Sequence, residues 1–259
     1  MPNFEKLALL VSDSDKAQAA EQSFRDAHDW SRLSEAEAVV VLGGDGFMLQ
    51  TLHKMLETGK ILPVYGVNLG TVGFLMNKNR GPETLLKRVA RARALAIAPL
   101  HMEALTQDGS RHFVHAINEV SLLRETRQTA KIEIALNDKV RIKELICDGV
   151  LLATPAGSTA YNLSANGPIL PLDSSLLALT PISPFRPRRW RGAIVPDRSQ
   201  ITFRVNEPDK RPVSAVADQK ELRDVAEVKL KIDRDKELRL LFDKGQALDE
   251  RIVAEQFEV

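Results

Sequence analysis

Apolar residues follow two patterns along this chain. In the N-terminal part, unbroken apolar runs of strand length alternate with stretches of helical character. Lys6–Ser12 (KLALLVS), Ala38–Leu42 (AVVVL) and Ile61–Asn68 (ILPVYGVN) are the strand candidates. Between them, DKAQAAEQSFRDAH has helical composition, and FMLQTLHKML spaces Met48, Leu52, Met55 and Leu56 along one helical face. GPETLLKRVARARAL opens with Pro82 at a helix start. Continuous apolar strands separated by helices predict a parallel sheet covered on both faces.

Beyond about Ala98 the pattern changes to short β-rich runs punctuated by turns: FVHAINEVSLL, AKIEIALNDKVRIKELI, GAIVP, SQITFRV, RPVSAVADQ, AEVKLKI and ELRLLF. QDGS and LNDK have the composition of hairpin turns. The one helix expected between Pro99 and Leu230 is a short one near Thr159–Ala165. The expected fold class is therefore α/β plus all-β, with residues 1–98 forming an α/β parallel-sheet domain and 99–259 a mainly antiparallel, sandwich-like domain. QALDERIVAEQF, Gln246–Phe257, reads as a short terminal helix able to pack on either part.

Composition narrows the class. At 44% hydrophobic and 27% charged, the chain has ordinary globular makeup with enough apolar residues for a sizeable core. A net charge of +1 gives no reason to expect a nucleic-acid or membrane partner. No apolar run approaches a membrane span, and no basic leader precedes a long apolar stretch. The single cysteine, Cys147, excludes an intrachain disulfide and a multi-cysteine metal site. A soluble cytoplasmic protein is expected.

Candidate chemistry begins at Gly43-Gly44-Asp45-Gly46, where a strand ends and a helix starts. Glycines there let backbone N–H groups approach a phosphate, and the helix N-terminus favours its charge. Leu49 stands where a dinucleotide fingerprint has its third glycine, and no Walker lysine follows. A tight Asp-Gly turn is the alternative reading. A second glycine cluster, VNLGTVGFL (Val67–Leu75), follows the next strand. Neighbouring parallel strands end at one crevice, so both loops are expected at a shared ligand site, with Asn68 and Thr71 adding polar contacts or capping a helix. A carboxylate beside bound phosphates suits a base for an acceptor hydroxyl.

In the second half, Asp148–Pro171 (DGVLLATPAGSTAYNLSANGPILP) is dense in Thr154, Gly157, Ser158, Thr159, Tyr161, Asn162, Ser164 and Asn166. It fits a surface for ribose, phosphate and a stacked ring, or a long polar loop. Asn118-Glu119 interrupts an apolar run and fits either ribose hydroxyls or a surface-facing pair. Arg186, Arg188, Arg189 and Arg191 around Trp190 have the residue types of a nucleic-acid contact, but one short cluster in a near-neutral chain fits better a loop contacting nucleotide phosphates or a neighbouring subunit, or a solvated loop. Lys87–Arg93 reads as the wet face of an amphipathic helix.

GGDG, NE at Asn118-Glu119, the block DGVLLATPAGSTAYNLSANGPIL and LTPISP at Leu179–Pro184 occur in this order across nearly the whole chain, and together resemble the NAD kinases. The glycine loop is shared with lipid kinases; the TPAGSTAYNLSANGP block is specific. The resemblance implies phosphorylation of the adenosine 2′-hydroxyl of NAD to give NADP. Asp45 would take the proton, with Gly43, Gly44, Gly46 and Asn68 in the phosphate loops. Asn118 and Glu119 would hold the adenosine part, and Asp148 would reach the nicotinamide side. Ala156, Ser158, Thr159, Ala160, Tyr161, Asn162, Leu163 and Ser164 would line the pocket, Tyr161 as the stacking ring, and Gln219 would add a polar contact. Phe47 stands where many members have threonine, so no hydroxyl is available there. The implied partners are NAD and ATP or polyphosphate, with Mg²⁺ carried mainly by phosphates rather than a protein cage, in a homodimer or homotetramer. The competing classes are a diacylglycerol- or sphingosine-type lipid kinase, which needs an acyl cleft, and a non-catalytic NAD sensor, which needs no base.

Overall fold

The computed structural model describes residues 4–71 and 73–244; the tail helix expected at Gln246–Phe257 lies outside them. Two compact units result. One contains the residues up to Ile97 and those from Lys236 on, the other Ala98–Asp235.

The first unit begins with β1 (Leu7–Val11), α1 (Asp15–Ala27), β2 (Ala38–Gly43), α2 (Asp45–Thr58), β3 (Val64–Asn68), β4 (Asn77–Lys78), α3 (Leu85–Arg91) and β5 (Arg93–Ile97). β2 lies between β1 and β3 and is parallel to both. Every residue of β2 is buried, which is why AVVVL shows no polar alternation. Phe24 of α1 and Leu85 and Val89 of α3 pack with Leu7, Leu9, Val40 and Tyr65. Met48, Leu52, Met55 and Leu56 of α2 are buried as their spacing predicts. Each such side chain contributes roughly 1.5–3 kcal/mol on full burial. α2 stops at Gly59, whose φ of 72° is the left-handed conformation that glycine adopts without a Cβ clash. The helix expected to run on from Pro82 is shorter than its composition suggests. Arg93–Ile97 is a strand in which Leu95 and Ile97 are buried and Ala94 and Ala96 exposed. Alanine and arginine are good helix formers, and they mask this period of two.

The second unit is β6 (Leu100–Thr106), β7 (Arg111–Ala116), β8 (Glu119–Arg124), β9 (Ala130–Leu136), β10 (Lys139–Cys147), β11 (Gly149–Ala153), a 3₁₀ turn at Ala156–Thr159, α4 (Tyr161–Ser164), β12 (Leu176–Ile182), β13 (Ala193–Pro196), β14 (Ile201–Val205), β15 (Val213–Ala217), β16 (Lys220–Leu222) and β17 (Val225–Ile232). The strands form two antiparallel sheets, ordered β10-β9-β14-β17-β6-β7 and β13-β12-β11-β8-β15-β16. Met102, Ile132, Phe203 and Val228 of one sheet and Leu122, Val150, Leu177 and Ala215 of the other belong to a single core. The turn expected at Leu136–Lys139 joins β9 to β10. Its Asn137 and Asp138 both have positive φ, 49° and 62°, as a two-residue hairpin requires.

One strand falls elsewhere than its neighbours in sequence suggest. ELRLLF reads as part of the β-rich half, yet β18 (Leu238–Phe242) joins the first unit's sheet, parallel to β3 and antiparallel to β5. An apolar run announces a strand without naming its partner. The strand is latched at its end. Asn77 Nδ2 donates to the carbonyls of Gly66 (3.0 Å) and Leu241 (2.9 Å), and the Asp243 N–H donates to Asn77 Oδ1 (2.9 Å). The Tyr65 hydroxyl donates to Asp243 Oδ1 (2.6 Å), and Arg88 Nη2 donates to Asp243 Oδ2 (2.5 Å). The Arg88 side chain is only 12% exposed, so it is not part of the wet helical face expected at Lys87–Arg93. Burial works against the Asp243 charge, but the hydrogen bonds from Arg88 and Tyr65 outweigh it and hold the carboxyl below its ordinary range. Burial and the Asp243 bond push the Tyr65 phenol up.

Candidate functional site

In the first unit the two glycine loops meet. They follow β2 and β3, whose register pairs Gly43 with Asn68. The Leu69 N–H donates to the Gly43 carbonyl (2.7 Å). A Cβ on Gly70 would stand 3.3 Å from the Gly44 Cα, so the loops touch backbone to backbone. Asn68 Oδ1 accepts the Gly70 N–H (2.9 Å), a local turn that shapes the second loop. α2 starts from Gly44 in extended conformation with no side-chain cap. Its first N–H groups are thus left to backbone, solvent or ligand.

Asp45 opens α2, and its carboxylate ties the two loops together. Oδ2 accepts the Phe74 N–H (2.8 Å) and Oδ1 the Leu75 N–H (2.9 Å). An ionised carboxylate offers about four lone-pair directions. These two bonds orient the group and leave each oxygen with room to accept another proton donor.

A cavity of about 480 Å³ lies along the neighbouring stripe of α2. Phe47, Thr51, Met55 and Thr58 line it together with Leu10 and Leu62. Among the described residues of the two glycine loops and their immediate flanks, Phe47 alone lines it.

In the second unit Asn118, Glu119, Gln219 and the candidates from Ala156 to Ser164 lie where β11 and β15 end and β8 begins, with Ala153 opposite Glu119, whereas Asp148 precedes the opposite end of β11, beside Arg124. The backbone there is held closely. Thr154 Oγ1 donates to the Ile117 carbonyl (2.7 Å), and the Thr154 N–H donates to the Asn118 carbonyl (2.9 Å). A Cβ on Gly157 would collide with that same Asn118 carbonyl, so only glycine allows the approach. Two acceptors stay open in this arrangement. Asn118 Oδ1 and Glu119 Oε2 are buried and have no partner among the described residues. Burial, then the charge of Asp218, pushes Glu119 up to about 7 against the opposing Tyr161 backbone N–H. Open buried acceptors cost about 1–3 kcal/mol each, and a ligand bringing donors would recover that cost.

The remaining candidates divide by burial. Tyr161 is partly exposed and packs against the small cluster of Leu151, Ala153, Leu170 and Ala178. Burial, then the charges of Glu119 and Asp148, push its phenol up. Asp148 accepts from Arg124 Nε (2.6 Å) and remains 40% exposed. Ala156 is buried; Thr159 and Ala160 are partly exposed; Leu163 and Ser164 are exposed, as is Gln219. Ser158 and Asn162 are fully buried. Ser158 Oγ donates to the Pro155 carbonyl (2.8 Å) and accepts the Leu170 N–H (3.0 Å). Asn162 Nδ2 donates to the carbonyls of Ser158 and Pro168, and its Oδ1 accepts the Thr180 hydroxyl (2.7 Å). Asp218, absent from the sequence-based candidates, touches the Asn118-Glu119 backbone directly. Its only signal in sequence is an acidic residue in a hairpin turn beside Gln219.

Residues 3–91 match the ATP-NAD kinase N-terminal domain, and residues 117–239 match the ATP-NAD kinase C-terminal domain. The chain belongs to the ATP-NAD kinase family. An NAD kinase of Rhizorhabdus wittichii is 60% identical over 98% of this chain and 99% of its own length. An NAD kinase of Zymomonas mobilis is 58% identical over 99% of both chains. Among solved structures, yeast NADH kinase complexed with NADH aligns with a TM-score of 0.75 at 28% identity, covering 85% of this chain and 65% of its own. The NAD kinase of Archaeoglobus fulgidus in complex with ATP shares the fold, with a TM-score of 0.74 at 22% identity over 96% of this chain and 99% of its own. Membership of the ATP-NAD kinase family makes the chain a phosphotransferase fold with an α/β unit and an antiparallel β unit. No described helix is long and apolar enough to cross a membrane.

Proposed function

We propose that the chain transfers the γ-phosphoryl group of ATP to the 2′-hydroxyl of the adenosine ribose of NAD. The observation that carries this reading is Asp45. It is a carboxylate in the first turn of a helix with no side-chain cap, oriented by two N–H donors and with lone pairs to spare. In the reaction the 2′-oxygen gives its proton to Asp45 and forms a bond to the γ-phosphorus, while the bond from that phosphorus to the ADP oxygen breaks. NADP and ADP leave, and Asp45 returns its proton to solvent. Gly43, Gly44 and Gly46 keep the loop bare of side chains so that N–H groups can approach phosphate.

Asn118 and Glu119 receive the adenosine part with their open acceptors. Tyr161 stacks on a ring, and Asp148 takes the far side of the dinucleotide. Ala156, Thr159, Ala160, Leu163, Ser164 and Gln219 shape the surface. Ser158 and Asn162 act from behind it, holding the backbone of the 3₁₀ turn and α4. No group of three or more His, Cys, Asp or Glu among the described residues forms a metal cage. The family resemblance implies a Mg²⁺ ion, which carried by the donor's phosphates and water would offset the charge of the phosphoryl group.

Purified protein incubated with NAD, ATP and Mg²⁺ is expected to form NADP and ADP in equal amounts. Turnover of ATP with no NADP, or phosphorylation of a lipid alcohol instead, would overturn the reading.

A further inference from the structure

Asp218 stands in the turn between β15 and β16 with a φ of 51°, and its own N–H donates to the Glu119 carbonyl (3.1 Å). Its carboxylate accepts three consecutive backbone N–H groups: Ile117 on Oδ2 (2.6 Å), and Asn118 (3.0 Å) and Glu119 (3.1 Å) on Oδ1. Charge-assisted bonds of this kind are among the stronger ones, and three in a row fix the local φ and ψ. Thr154 and Gly157 press on the same segment through its carbonyls. The segment is gripped by its donors from one turn and by its acceptors from another. What it presents are the two side chains with open acceptors, Asn118 and Glu119.

We propose that Asp218 is a positioning residue of the dinucleotide site, aiming the Asn118 and Glu119 side chains at the ligand and holding a second negative charge against Glu119. This rests on the reading of that end of the second unit as the NAD site. The proposal has a chemical consequence. The groups facing Glu119 are the Asp218 carboxylate from the β15–β16 turn and the Tyr161 backbone N–H and phenol from α4. Burial and Asp218 together raise Glu119 to about 7, so near neutrality much of it carries a proton. Protonated, Glu119 can donate to a ribose oxygen or a ring nitrogen; ionised, it can only accept. Asp218 thereby sets which of the two bonds the ligand meets.

The test uses the full chain labelled with carboxyl-¹³C glutamate, the Glu119 resonance being the one lost in Glu119→Gln. The wild-type midpoint is expected near 7. Asp218→Asn should move it toward acid, because the neighbouring charge is gone. The same variant should raise the Kd for NAD by calorimetry about tenfold while kcat falls much less, since positioning acts on binding before chemistry. Asp218→Glu keeps the charge and displaces the grip. It should weaken NAD binding with the Glu119 midpoint left near 7, and it carries the test should Asp218→Asn melt early. Wild-type binding of NAD with both midpoint and Kd unchanged in Asp218→Asn would overturn the proposal alone. Failure of the wild type to bind NAD at all would overturn the dinucleotide reading and the proposal with it.

Discussion

The glycine loops of the first unit and the Asn118–Asn162 region of the second are assembled by opposite means. The glycine loops meet through backbone, and within Gly43–Gly46 Asp45 alone has a side chain. They touch through Gly44 and Gly70, and one side chain, Asp45, ties them together. The other region spends many side chains to keep a few free. Thr154, Ser158, Asn162, Thr180 and Asp218 all bond inward, and among the described residues Asn118 Oδ1 and Glu119 Oε2 are buried acceptors left open. A bare backbone suits a charged, compact phosphate, for which N–H groups are the natural partners. A wired network suits a ligand whose edges must be read one hydrogen bond at a time. The difference teaches that a polar residue near a site is most informative when its own bonds are accounted for.

The comparison breaks hardest at Asp45. Asp45→Asn should lower kcat by roughly 10²–10⁴-fold, the usual loss of a general base, while NAD affinity by calorimetry stays close to wild type. Near-normal kcat would reduce Asp45 to a loop clamp. At Asn162 the expected loss is of stability. Asn162→Ala removes the partner of two carbonyls and a hydroxyl inside the protein, so urea unfolding should show about 2–4 kcal/mol of destabilisation. A folded variant of full stability that fails to bind NAD would instead make Asn162 a ligand residue.

Glu119 sharpens the comparison through pH. Its folded-state value, about 7, lies above the 4.5 of a free glutamate, so the folded chain holds this proton more tightly. The contribution is present at acid pH and is lost as pH rises from about 4.5 through about 7. Glu119→Gln removes that slope and should be more stable than wild type at pH 8 by on the order of 2–3 kcal/mol, with little difference at pH 4. Parallel stability curves for the two proteins would refute the buried-acid account. The smallest expected effect is at Tyr161. Tyr161→Ala should raise the Kd for NAD by about one to two orders of magnitude, as for a lost stacked ring, and Tyr161→Phe should do much less. An alanine variant that loses stability but keeps its NAD affinity would make Tyr161 part of the Leu151–Ala178 cluster and nothing more.

Much of this was legible in the sequence, for identifiable reasons. Unbroken AVVVL and the spacing of Met48, Leu52, Met55 and Leu56 gave away the parallel core, because burial on both faces leaves no room for alternation. Asn137-Asp138 announced its hairpin, since both residues tolerate positive φ. Glycine clusters after two adjacent strands were expected at one place, and they meet there. What stayed hidden is direction. Serines, threonines and asparagines in the TPAGSTAYNLSANGP block look alike in sequence, and only the fold turns Ser158 and Asn162 inward. Asp218 resembles any hairpin aspartate until the three N–H groups it accepts are seen. Arg88 resembles its surface neighbours Lys87 and Arg91 until Asp243 arrives from the far end of the chain.

That arrival has a consequence for synthesis. The first unit's sheet keeps an empty lane between β3 and β5 until Leu238–Phe242 emerges from the ribosome. At about 5–20 residues per second, the intervening second unit takes on the order of ten to thirty seconds to be made. Throughout that interval Val64 of β3 lacks its partner Leu240, and Tyr65 and Arg88 lack Asp243. The second unit, by contrast, is contiguous and can fold as it appears. The first unit's sheet is thus completed last although most of it is made first, and a nascent chain stalled before Leu238 lacks the strand between β3 and β5.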